Sequence, residues 1–83
     1  MTSTEFITKA KATVADIMTT QRKIKVEPGQ IQLVWFAHEL GYKKCTLYAP
    51  EMGAHYAEVT YNRDKGEMYV DIYVKVLNER VPV

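Results

Sequence analysis

The sequence predicts an α+β fold, with one N-terminal amphipathic helix packed on a three- to four-stranded, mostly antiparallel sheet. Three observations predict it. Apolar residues recur at helical spacing from Phe6 to Met18. From His55 to Val76, two alternating runs rich in β-branched and aromatic residues flank the loop Arg63-Asp64-Lys65-Gly66, which reads as a hairpin connection. Between helix and hairpin, the turn signals Glu27-Pro28-Gly29-Gln30 and Pro50-Glu51-Met52-Gly53 enclose a segment long enough for two more strands.

The helix opens on a capping box, Thr2-Ser3-Thr4-Glu5, with the Thr2 hydroxyl as N-cap and Glu5 reaching back. Phe6, Ala10, Val14, Ile17 and Met18 form its stripe, widened by Ile7, and Lys9, Lys11, Thr13, Asp16 and Thr20 fall largely outside. Its threonines are weak helix formers, so docking of the stripe must supply much of its stability. Gln21 to Lys25 is a polar, basic exit.

Ile31 to Leu40 reads two ways. Its alternation suits a strand, while Pro28 before it and Gly41 after it equally bracket a short buried helix. The β-branched and aromatic content favours a hairpin, turning at Gly41–Lys44 into a strand over Cys45–Tyr48. Trp35 and Phe36 then point to opposite faces. Core placement of Trp35 beside Ile31 and Leu33 is the simpler arrangement.

For the last hairpin, burial of one face selects the register. Val59 opposite Val70, Ala57 opposite Ile72 and Tyr61 opposite Met68 join apolar to apolar, whereas a one-residue slip sets Val59 against Asp71. The other face then carries Tyr56, Glu58, Thr60, Tyr69, Asp71 and Tyr73, with Tyr48 a further candidate. The final strand is expected to run on through Val76 and Leu77.

At 83 residues the chain is one domain. The lone Cys45 forms no intrachain disulfide and suits a reducing compartment. Met1 to Glu5 lacks a basic signal-peptide start, and the apolar run from Ile31 to Ala37 is far too short to span a bilayer. A cytoplasmic protein without membrane partners is expected. Net charge of +1 gives no global pull toward polyanions.

The segments Val34-Trp35-Phe36, Lys44-x-x-Leu47, Tyr56-x-Glu58-Val59-Thr60-Tyr61-Asn62 and Asp64-Lys65-x-Glu67-x-Tyr69-x-Asp71-x-Tyr73 resemble a family of small uncharacterised proteins. Phages and prophages of Gram-positive bacteria encode most of its members. The likeness runs from Glu5 to Asn78 and is most specific across Tyr56–Tyr73. Arg63 stands where the family has glycine and Val74 where it has lysine; both departures leave the hairpin intact but alter its loop and edge. The resemblance implies a phage or prophage origin and a site of action in the bacterial host's cytoplasm. It brings no catalytic residues.

The candidate chemistry is sparse. Glu58 and Asp71 are cross-strand neighbours, and paired carboxylates serve acid–base catalysis or bind hard cations. No nucleophile, base partner or pocket-forming loop accompanies them, and Lys44 or Lys75 is at hand to neutralise them. His38, Cys45 and His55 match no zinc spacing, and Cys45 alternates within an apolar run as an inert buried thiol. No metal or other cofactor is expected. Tyrosines instead supply large, rigid contact area at low entropic cost. The expected function is therefore non-enzymatic binding of a bacterial host protein through Tyr56, Glu58, Thr60, Tyr69, Asp71 and Tyr73. Taken with the resemblance, that means an inhibitor of a host defence system, of anti-CRISPR type or another. The alternatives are a small nucleic-acid- or nucleotide-binding module acting through Arg22, Lys23, Lys25, Lys43 and Lys44, and a structural homodimer.

Overall fold

The computed structural model describes residues 1–83. Helix α1 spans Ser3–Thr20, and four strands follow: β1 Gln32–Glu39, β2 Tyr42–Tyr48, β3 His55–Asn62 and β4 Glu67–Val74. They form one antiparallel sheet in the order β1-β2-β3-β4, each strand beside its chain neighbour. The expected α+β architecture is the observed one.

The capping box closes as read. Thr2 Oγ1 accepts the Glu5 N–H at 3.1 Å, and the Thr2 N–H donates to Glu5 Oε1 at 2.8 Å. Both bonds engage end groups that would otherwise lack helical partners. The helix buries Phe6, Ala10, Val14, Ala15 and Met18, with Ile7 and Ile17 half-buried at the flanks. Lys23, just past the helix, adopts a left-handed φ of 59° and turns the chain back. Its ammonium donates to the Thr20 carbonyl at 2.9 Å. A short 3-10 turn, Pro28–Gln30, then delivers the buried Ile31 to the edge of β1.

The helix packs over the middle of the sheet. Cys45 and Leu47 of β2 and Ala57 and Val59 of β3 are fully enclosed beneath it, and Ala49 and Met52 close one end of the core. Phe6 sits between Phe36 and Tyr61 with ring centroids 6.3 Å apart in both cases, joining helix, β1 and β3. The outer strand β4 presents Met68, Val70 and Ile72 to the same side, but only half-buried.

The β3–β4 register is the expected one: Val59 pairs with Val70, Ala57 with Ile72, Tyr61 with Met68, and Glu58 with Asp71. The ambiguous segment from Ile31 to Leu40 is strand over Gln32–Glu39, so the hairpin reading holds. Its turn is tighter than expected. Leu40 and Gly41 alone make it, both at positive φ (51° and 84°), and β2 starts at Tyr42 instead of Cys45. A Cβ on Gly41 would also lie 2.3 Å from Arg63 Cδ, so any side chain there meets a steric as well as a conformational cost.

Two expectations are corrected. Trp35 is not in the core; about half of it (52%) is exposed. The β1–β2 register shifts between Leu33 and Trp35, so Val34 is an extra residue in a bulge that breaks strict alternation. Trp35 then pairs with Thr46 on the uncovered face, and Phe36, opposite Cys45, takes the inward place. Nor does β4 continue to Leu77. His55, the first residue of β3, already pairs with Val74, so beyond one bond from the Lys75 N–H to the Ala54 carbonyl (2.8 Å) no strand remains to pair with. Val76 and Leu77 are exposed.

Cys45 is the buried thiol the pattern predicts. Removal from water raises its pKa to about 11, because a thiolate would lose its solvation there. The thiol should react slowly with Ellman's reagent until denaturant is added. The pH dependence follows in sign. The unfolded chain ionises first, near about pH 8.5, so Cys45 leaves stability unchanged below that value and lowers it as pH rises toward about 11. Urea titrations of wild type and Cys45→Ala between these limits check this: the wild type should lose stability with pH more steeply than the variant.

Candidate functional site

The sheet face away from α1 is open, and the strand register fixes what lies on it. Trp35, Ala37 and Glu39 come from β1, and Tyr42, Lys44, Thr46 and Tyr48 from β2. Tyr56, Glu58 and Thr60 come from β3, and Glu67, Tyr69, Asp71 and Tyr73 from β4. The tryptophan and five of the six tyrosines of the chain therefore share one face.

All six residues expected to bind a partner lie together there. Tyr56 and Tyr73, directly opposite across β3 and β4, stack with centroids 5.2 Å apart and planes 19° from parallel. Thr60 pairs with Tyr69, and the Tyr69 hydroxyl donates to the Glu67 carboxylate, a bond that raises the pKa of this phenol. Lys44 Nζ lies 2.7 Å from Glu58 Oε1 and answers that carboxylate, while the hydrogen bond raises the lysine's own pKa. Asp71 makes no ion pair and no side-chain hydrogen bond. Its charge, with that of Glu58, pushes the Tyr73 phenol upward. At the hairpin end, Tyr42 donates to Asp64 and the Arg63 guanidinium lies 5.8 Å from the Tyr42 ring centroid.

The sequence reading offered Tyr48 as a further candidate for this surface and missed Val34 and Trp35. Trp35, Val34 and Tyr48 continue it toward β1, where Val34, Thr46, Tyr48, Tyr56 and Lys75 line a shallow cleft of about 360 Å³ together with the Gly53–His55 backbone turn. The Tyr48 hydroxyl donates to the Gly53 carbonyl at 3.0 Å and anchors that rim. The unbroken apolar run Leu33-Val34-Trp35-Phe36 was the available signal, since strict alternation does not accommodate it.

The basic residues of the alternative reading are dispersed. Lys43 and Lys44 are adjacent in β2 and so point to opposite faces. Lys43 is buried on the helix side, its ammonium 5.5 Å from the Tyr61 ring centroid and 3.5 Å from the Gly41 carbonyl. Arg22 donates to His55 Nε2 (3.1 Å from Nη2), and His55 Nδ1 lies 3.2 Å from the Met52 carbonyl. A neutral ring with its proton on Nδ1 satisfies both contacts. Lys23 and Lys25 border a depression beside α1 that also contains Asp16 and Glu27. No group of three or more His, Cys, Asp or Glu side chains is placed to hold a metal ion. No helix is long and apolar enough to cross a membrane.

On the open face, negative groups outnumber positive ones. The open face carries four carboxylates, Glu39, Glu58, Glu67 and Asp71, against the ammonium groups of Lys44 and, at its end, Lys75.

No curated protein and no solved structure matches the chain. A protein-family profile matches it over residues 7–83, and the chain accordingly belongs to DUF6275, a family of unknown function.

Proposed function

We propose that the chain is a non-enzymatic interaction protein that engages a partner protein through its open sheet face. The observation that carries the reading is the gathering of Trp35, Tyr48, Tyr56, Tyr69 and Tyr73 on one uncovered, hydrogen-bonded sheet. Tyrosine and tryptophan dominate binding hot spots because they bring large area with few rotors. A strand-borne patch is also fixed before binding, so little ordering entropy is lost. The resemblance to small phage and prophage proteins supports a bacterial host protein as the target, within the host cytoplasm. Inhibition of a host defence component is the version to test first. On this reading the mechanism is steric, with the face occupying a surface that the target needs.

The excess of carboxylates on the face opposes docking of a phosphate backbone and symmetric pairing of two such faces. Both alternatives are therefore weaker. Site-specific photo-crosslinking tests the proposal. A photoreactive phenylalanine analogue at Tyr69, in cells of a bacterial host, should capture one protein specifically. The same probe at Lys9, on the outer side of α1, should not. Equal capture from both positions, or from neither, removes the docking face. Capture of nucleic acid, with affinity falling steeply as salt rises, would favour the alternative module.

A further inference from the structure

Of the cross-strand carboxylates Glu58 and Asp71, only Glu58 makes a direct ion pair within the chain, with Lys44, whose charge reaches Asp71 at longer range. Asp71 is exposed on the outer strand, two residues from Tyr69 on one side and two from Tyr73 on the other, so all three share the open face. Tyr73 is held against Tyr56 by parallel stacking and still has 40% of its surface open. The place therefore combines a fixed aromatic ring with an exposed carboxylate that no ion pair or side-chain hydrogen bond holds, on a face where carboxylates outnumber ammonium groups.

We infer that this place receives an arginine side chain of the partner, its guanidinium lying on the Tyr73 ring and donating to the Asp71 carboxylate. The inference rests on the docking-face reading and names the chemistry of its occupant. Charge complementarity selects a cation. Geometry selects arginine over lysine, because a planar guanidinium stacks on a ring and donates in parallel to a carboxylate at once, whereas an ammonium is a compact, strongly hydrated point charge. The negative potential felt by the Tyr73 phenol is consistent with a site for positive charge. The chain's own arginines are accounted for in part: Arg22 is held by His55 and Arg63 lies beside Asp64. Arg80, in the exposed segment after β4, is the one that a second copy could offer instead.

The test titrates a capped, arginine-containing pentapeptide into the full chain, followed by backbone amide chemical shifts. Its lysine and citrulline counterparts serve as comparisons, citrulline being the uncharged isostere. Saturable shifts are expected at Tyr56, Asp71 and Tyr73, with the citrulline peptide weaker by at least about tenfold and lysine between them. Asp71→Asn, an exposed substitution that leaves the amide spectrum otherwise folded, should bring arginine down to the citrulline level. Equal response to arginine and citrulline, shifts confined elsewhere, or an unchanged Asp71→Asn protein would overturn the inference. Self-association lost in both Asp71→Asn and Arg80→Ala would overturn it in favour of a second copy. The two readings fail separately: a partner crosslinked at Tyr69 without arginine selectivity leaves the docking face standing, whereas loss of that crosslink removes the face itself.

Discussion

Val59→Asp is expected to leave the chain unfolded, and Thr60→Asp, one residue further along β3, to leave it folded. Val59 is fully enclosed between Cys45 and Val70 under the helix. Lys43, the one buried cation, is directed to the Tyr61 ring and the Gly41 carbonyl, and a buried charge left without a partner costs several kcal/mol beyond the valine burial lost with it. A domain of this length has only about 4–12 kcal/mol of stability in total. Thr60 faces outward opposite Tyr69 and Lys44, where an added carboxylate stays solvated. Far-UV circular dichroism and urea titration of the two variants decide it. A soluble, cooperatively unfolding Val59→Asp protein would mean that the faces of β3 are reversed. Val70, on the outer strand and only half-buried, should tolerate the same change better than Val59.

The second large effect is on binding. Tyr56→Ala or Tyr73→Ala should each weaken the crosslinked partner by about 2 kcal/mol or more, roughly thirtyfold. Because the rings stack on each other, the double variant should lose less than the sum. Stability should change little, since both rings lie outside the core cluster. Calorimetry with the purified partner gives the affinities, and the urea midpoint gives the control. A large drop in that midpoint with unchanged affinity would make the stacked pair a structural brace and exclude it as a contact.

What could be read from the residues, and what could not, divides along the range of the interactions. The capping box, the helical stripe and the β3–β4 register each rest on neighbours in sequence or on one buried face, and all three stand in the structure. Phe6 to Met18 needed only their spacing, and Ala57, Val59 and Val70 only their alternation. Trp35 failed because a bulge at Val34 changes the parity of the strand; the apolar run Leu33–Phe36 shows that alternation breaks there but not which residue is the extra one, which pairing with β2 decides. The end of β4 failed for a related reason: its length is set by where β3 begins, at His55, and not by the β-propensity of Val76. Lys43 looked like half of a basic pair, yet its long stem lies in the core while its ammonium reaches a ring and a carbonyl. The candidate face was legible in its six expected members and in Tyr48, and its extension through Trp35 and Val34 was not.

The meander has a kinetic corollary. Because each strand hydrogen-bonds only to the one before or after it, no segment must wait for a distant stretch of polypeptide before its ladder can zip, and ring-closure entropy is small at every step. The helix is the sole element that must find its place across the chain, and Phe6, meeting Phe36 and Tyr61, is where that search ends. Such a topology favours rapid assembly for a sheet protein, and leaves only the outer sides of β1 and β4 as open edges.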